Sequence, residues 1–159
     1  GTLPVNMSRE QFRQVFQVPF SSARKWMLCV LAPPPTDSDK RRILCLKGAP
    51  ERVFQRCSSI YVNGVEEPIT DKVRESFDSA NALYMKQGRR VLALSVRRLP
   101  LEEYPSNLTA GAEKERFQTL FDSGKLVGEG TSAGLSMVGC TALEDPPKTS
   151  VPGAVLQCR

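Results

Sequence analysis

Lys47-Gly48-Ala49-Pro50-Glu51-Arg52-Val53 is the stretch on which the reading of this chain turns. It closes a β-rich run, Arg42 to Lys47, and passes at once into a helix expected over Ala49 to Cys57. Pro50 lies near the first turn of that helix, where its missing N–H is tolerated. Gly48 and Ala49 have almost no side chain, so a planar ring or a phosphate can approach the backbone closely. A helix starting there presents backbone N–H groups to an anion. An ordinary strand-to-helix turn carrying a solvated lysine fits the same residues, and the segment's own physics leaves both readings open.

Working outward, Lys25 to Ala32 is a second β-rich run. Pro33-Pro34-Pro35-Thr36-Asp37-Ser38-Asp39 separates it from Arg42 to Lys47. Three prolines donate no backbone hydrogen bonds, so the pair reads as an antiparallel hairpin with an exposed loop. Upstream, Ser8 to Phe16 reads as a short helix, with Ser8 as N-cap, Gln11 at capping-box spacing, and Phe12, Val15 and Phe16 on one face. Downstream, Ile60 to Val62 is a short strand, and Asn63-Gly64 is the strongest hairpin signal in the chain. Thr70 caps a helix running to about Gln87, and Gly88 stops it. Val91 to Val96 and Leu135 to Leu143 are strands. Between them lies mostly loop, with a helix at Glu113 to Phe121. Strands joined by hairpins with interspersed helices predict an α+β domain, a mainly antiparallel twisted sheet flanked by helices.

The 159 residues fit one domain, and 40% hydrophobic with 25% charged residues is a soluble globular composition. No apolar run approaches the roughly 18 residues needed to cross a bilayer, and no secretory signal is read at the N-terminus. The net charge of +5 suits an anionic partner. Its basic residues cluster at Lys40-Arg41-Arg42, Arg89-Arg90 and Arg97-Arg98, so a basic module binding nucleic acid or an acidic protein is the alternative reading. The aromatic interleaving of an RNA-binding sheet is missing, since only 7% of residues are aromatic. The chain contains no histidine, which removes Ser-His-Asp and Cys-His catalysis and histidine metal sites. Its five cysteines, Cys29, Cys45, Cys57, Cys140 and Cys158, form no CxxC and read as free thiols.

No GxxxxGK[ST] and no GxGxxG occurs, so a nucleotide site here needs another device. Two further segments supply candidates. In Pro19-Phe20-Ser21-Ser22-Ala23-Arg24-Lys25, Phe20 sits between a proline and a small polar run, suited either to stacking on a base or to packing in the core. Lys25 is in reach of the same ligand, and Trp26, its neighbour, reads as packing. In Gly88-Arg89-Arg90-Val91-Leu92, an arginine opens a buried strand and can grip a phosphate through its fork. Arg89 is placed to complement the helix end, leaving Arg90 for the ligand.

Together these segments resemble the cytosolic nucleotide-binding domain of P-type ATPases, on the sodium/potassium- and calcium-pump side of that superfamily. Pro19 to Lys25 matches the family's PFxSxxK. Lys47 to Val53 with Gln55-Arg56-Cys57 matches KGAPExVxxRC, Gly88 to Leu92 matches GxRVL, and Asp145-Pro146-Pro147-Lys148 matches DPPR or DPPK. The resemblance covers about residues 8 to 159 and keeps the family's order.

It implies ATP as ligand, with Mg2+ in the full-length parent. Phe20 would stack on adenine with Lys25 beside it, Lys47, Gly48 and Ala49 would line the adenine site, and Arg90 would contact the phosphates. Asp145, Pro146 and Pro147 would form the hinge, so that residues 1–144 are the nucleotide-binding domain and 145–159 open the phosphorylation domain. The implied partners are the phosphorylation, actuator and membrane domains of a parent at the cytosolic face of a membrane. The fragment itself is expected to be monomeric, without nucleic acid. The phosphorylated aspartate motif DKTGT and the TGD and GDGxND motifs are absent, so the chain alone is not expected to cleave ATP. The family's strands before PFxSxxK are not found, which implies a shortened sheet with an unprotected edge.

Overall fold

Alternation of buried and half-buried residues builds the centre of the molecule. The computed structural model of the chain describes residues 12–101, 104, 109–127, 134–144 and 148–158. In chain order the elements are β1 (Arg13–Val18), β2 (Trp26–Ala32), β3 (Ile43–Gly48), α1 (Pro50–Phe54), β4 (Cys57–Val62), β5 (Val65–Pro68), α2 (Asp71–Lys86), β6 (Arg90–Arg98), α3 (Ala110–Asp122), β7 (Leu135–Leu143) and α4 (Val151–Gln157). The strands form one sheet in the order β1-β2-β3-β6-β7-β4-β5. Every neighbouring pair is antiparallel except β4 and β7, which run parallel. This is the α+β architecture that the sequence predicts.

In β2, Trp26, Leu28, Val30 and Ala32 are buried, and the residues between them are half-exposed. Leu44 and Leu46 of β3 and Ala93 of β6 continue that buried face. Three helices complete it: Val53 and Phe54 come from α1, Val73 and Phe77 from α2, and Phe117 and Phe121 from α3. Phe54 and Phe77 stack at 3.9 Å between ring centroids, and Phe117 stacks on Tyr104 at 5.7 Å and on Phe16 at 6.0 Å. Fully burying each such side chain contributes roughly 1.5–3 kcal/mol. A buried ion pair ties α3 to the sheet: Arg42 Nε donates to Glu113 Oε1 at 2.5 Å, and Arg13 reaches Glu113 Oε2 at 3.3 Å.

Local chemistry sets the turns. Asn63 and Gly64 both take positive φ, 51° and 83°, the conformation a two-residue type I′ hairpin needs between β4 and β5. Thr70 caps α2, its Oγ1 accepting from the Val73 N–H at 3.4 Å, and Gly88 follows the helix at φ 71°.

The helix expected over Ser8 to Phe16 is corrected in part. Residues 8 to 11 lie outside the described residues, and Arg13 to Phe16 belong to β1. The pairing with β2 slips between Gln14 and Phe16, so Val15 is the extra residue of a bulge. The bulge brings Val15 and Phe16 both against the core, which imitates the helical spacing of Phe12, Val15 and Phe16. Lys25 is also not a strand residue: it precedes β2 in a left-handed conformation, φ 60°. The helix expected over Ala49 to Cys57 is shorter, because Cys57 already opens β4. The proposed hinge, Asp145-Pro146-Pro147, lies outside the described residues.

Candidate functional site

The sheet's directions gather the candidate residues at one end. β3 ends at Gly48, opposite Trp26 at the start of β2. The same Gly48 pairs with Ala93 of β6, three residues after Arg90. β1 finishes beside Leu28, so the chain emerges at this end toward Phe20. Leu143, at the end of β7, is the partner of Arg90. Phe20, Lys25, Lys47-Gly48-Ala49 and Arg90 therefore lie at or beyond one rim.

They are held there by backbone geometry. The turn after β1 is closed by the Lys25 N–H donating to the Ser21 carbonyl at 2.8 Å and by the Arg24 N–H donating to Ser21 Oγ at 3.2 Å. The Arg24 guanidinium lies 5.6 Å above the Trp26 ring, and that of Arg56 lies 5.5 Å from it. Trp26 is buried, so it packs as its sequence position predicts. Phe20 projects into solvent at 60% exposure and is not a core residue. Lys25 and Lys47 are exposed as well.

The glycine of the central segment has a structural duty. Gly48 is buried, and a Cβ there would stand 2.4 Å from the Lys25 carbonyl oxygen. That same carbonyl accepts the Ala49 N–H at 2.9 Å. The N–H groups that this helix N-terminus can offer to an anion are therefore fewer than the sequence suggests, because most are engaged or absent. Ala49 donates to Lys25, Pro50 has no N–H, and the N–H groups of Arg52 and Val53 both return to the Ala49 carbonyl. Helix α1 is also only five residues long.

One face of the sheet carries α1, α2 and α3. The other, among the described residues, carries no helix and holds an apolar groove of about 320 Å3. Met27, Cys29, Cys45, Lys47, Leu94 and Val138 line it. Alternation along β6 puts Arg90 on the same face as Leu92 and Leu94, since Val91 and Ala93 are buried. Arg90 is not in that groove, however. It lines a separate hollow of about 590 Å3 with Met85, Gly88, Arg89, Leu143 and Glu144. Arg89 is engaged there: its N–H donates to the Tyr84 carbonyl at 3.0 Å, its guanidinium lies 5.9 Å from the Tyr84 ring, and it pairs with Glu144 at 3.3 Å. Arg90 makes no ion pair among the described residues.

Met27 and Leu94 escaped the reading from sequence. Their signal was present: Met27, Cys29 and Leu31 form a second apolar set in β2, alternating with the buried one, so this strand is apolar on both faces. Three arginines of the other basic clusters are paired with carboxylates. Arg41 pairs with Asp39 at 2.7 Å, Arg98 with Asp39 at 3.2 Å, and Arg42 with Glu113. Arg41 and then Arg98 hold the Asp39 carboxyl well below the usual range. Such pairing does not favour the basic-module alternative.

Residues 2–150 match the family model of the P-type ATPase cytoplasmic domain N. The chain is 34% identical over 98% of its length to the sodium/potassium-transporting ATPase subunit alpha-1 of Catostomus commersonii, and 32% identical over 98% to the human alpha-3 subunit. Against the potassium-transporting ATPase alpha chain 2 of Oryctolagus cuniculus the identity is 32% over 95% of the chain. It spans 14% of the length of the first two relatives and 12% of the third. With a family model covering most of the chain, and relatives above 30% identity along nearly all of it, the chain belongs to the cytoplasmic N domains of P-type ATPases.

Proposed function

We propose that this chain binds ATP at the sheet rim, with adenine between Phe20 and the Lys47-Gly48-Ala49 segment and the phosphates toward Arg90. The observation that carries this reading is the convergence of these residues on one end of one sheet. Phe20 is exposed there with its ring available for stacking. Lys25 and Gly48-Ala49 are joined through the Lys25 carbonyl. Lys47 and Arg90 sit on the helix-free face and supply positive charge.

In a membrane-embedded cation-transporting parent, the domain would carry the γ-phosphate to an aspartate of a phosphorylation domain. That task is positioning, not bond cleavage. Among the described residues no cluster of three or more Cys, Asp or Glu side chains is arranged to hold a metal ion. Magnesium would accompany the nucleotide in the full-length parent. The hinge role of Asp145, Pro146 and Pro147, the boundary at residue 145 and the cytosolic placement belong to the same proposal.

One stacked ring and a few exposed charges fit weak binding. A dissociation constant near ~1 mM corresponds to about −4 kcal/mol. Titration of ATP into the wild-type chain and Phe20→Ala, followed by NMR shifts, tests the reading. Loss of stacking is expected to weaken binding by roughly 1–3 kcal/mol. Equal affinity removes Phe20 from the site.

A further inference from the structure

Cys29 of β2 and Cys45 of β3 are direct partners across the antiparallel ladder. Both are half-buried, and both line the apolar groove of the helix-free face. They point away from the packed core, which is filled from the other face by Leu28, Val30, Leu44 and Leu46. Directly opposed residues in such a ladder have Cβ atoms about 4.5–5.5 Å apart, and a disulfide needs about 3.5–4.5 Å. Closing the bond requires the two Cβ atoms to draw together by up to about 2 Å.

We propose that Cys29 and Cys45 form a reversible oxidation site, a cross-strand dithiol that a hydroperoxide converts to a disulfide in the floor of the groove. The Cys29 thiolate attacks a peroxide oxygen. The O–O bond breaks, the departing oxygen is protonated to water or an alcohol, and Cys29 becomes a sulfenic acid. The Cys45 sulfur then attacks the Cys29 sulfur. The S–O bond breaks as the S–S bond forms, and the hydroxyl leaves with the Cys45 proton as water. The two sulfurs together lose two electrons, and the peroxide gains them. A thiol reductant restores the pair by exchange.

The environment assigns the two roles. The hydrogen bond with Cys45, aided by the Lys47 ammonium and opposed by burial, brings the Cys29 thiol down to about 7. The same contact and burial push the Cys45 thiol up. Thiolate character governs reactivity, so Cys29 is the attacking residue and Cys45 the resolving one. Cys57 and Cys140 differ. Cys57 is buried, donates to the Val53 carbonyl at 3.3 Å and is pushed up to about 11, and burial raises Cys140. The site does not depend on the nucleotide reading.

The test uses the reduced chain, an equimolar amount of hydrogen peroxide, capping of remaining thiols with N-ethylmaleimide and peptide mapping by mass spectrometry without reductant. The expected product is a peptide pair linked through Cys29 and Cys45 within one chain, lost on treatment with dithiothreitol. In Cys45→Ser, oxidation is expected to stop at a dimedone-reactive sulfenic acid on Cys29. In Cys29→Ser, the dithiothreitol-sensitive linkage within one chain is expected to be lost. The proposal is overturned if Cys29 and Cys45 are both recovered capped while Cys140 or Cys158 is oxidised. It is also overturned if wild-type Cys29 proceeds to sulfinic acid without linkage, or if the linkage joins two chains.

Discussion

The α-carbon of Gly48 lies so near Lys25 that a Cβ added to it would stand 2.4 Å from the Lys25 carbonyl oxygen, with the Trp26 Cβ next at 2.5 Å. Both contacts are to backbone or to the root of a buried side chain, so neither can swing aside. Glycine at this position lets the end of β3 close on the start of β2, and the Ala49 N–H completes the junction by donating to that same carbonyl. The small residue that looks from sequence like room for a ligand is first of all room for another strand. Its effect on a ligand is indirect, because the junction fixes where Lys25, Lys47 and Ala49 stand relative to one another.

Gly48→Ala therefore forces β2 and β3 apart at the rim. Overpacking of this kind is expected to cost about 1–3 kcal/mol. Thermal melting of wild type and variant measures it, with a lower midpoint expected. An unchanged midpoint would mean that the Lys25 turn relaxes without cost, and that the rim is softer than its hydrogen bonds imply.

The Arg42–Glu113 pair makes a second prediction. Glu113 is 1% exposed and Arg42 6%, so removing the carboxylate strips a buried guanidinium of its 2.5 Å partner. Glu113→Ala is expected to cost about 3–5 kcal/mol, and the double change Arg42→Met with Glu113→Leu to recover most of it. Urea midpoints with a common slope give both values. A double variant as unstable as the single one would show that shape, not charge, holds α3 against the sheet.

Local chemistry was the legible part of this fold. Asn63-Gly64, the Thr70 cap, the Gly88 stop and the span Leu135 to Leu143 are each written in a few adjacent residues, and each stands where the sequence predicts. Non-local pairing was not legible: nothing near Cys57 or Leu135 announces that their strands run side by side in parallel. The bulge at Val15 misled for a definite reason, since an extra residue converts a period of two into something close to a helical face. At the site, the charged and aromatic residues stood out by type. The packing duty of Gly48 against Lys25 and Trp26 was not legible, and Met27 and Leu94 did not stand out because an apolar groove and an apolar core select the same side chains.

Arg90 tests the polarity of the nucleotide reading. It is exposed, on the helix-free face, and outside the groove that Lys47 lines. A contact with phosphates at so open a position is worth at most about 1 kcal/mol, so Arg90→Ala should weaken ATP binding roughly two- to fivefold. Adenosine, which has no phosphate, should bind both proteins equally. Parallel titrations followed by NMR shifts separate the outcomes, and an equal loss for both ligands would make Arg90 a support of the fold and not a phosphate contact.

Cys57 supplies a prediction about pH. Burial pushes its thiol from the ordinary 9.0 up to about 11 in the folded chain. The folded state therefore holds its proton where the unfolded state has lost it. This contribution is complete below about pH 9, shrinks as pH rises through the interval from 9.0 to about 11, and is gone above that interval. A shift of this size corresponds to roughly 3 kcal/mol. Cys57→Ala lacks the titrating group, so its stability relative to wild type should rise by that amount across the interval, while lysines and tyrosines common to both chains cancel. Guanidinium denaturation of the two proteins at about pH 8.5 and about pH 11 reads the difference directly. A constant gap would show that water reaches the thiolate in the folded chain, despite the 5% exposure of Cys57 beneath Val53.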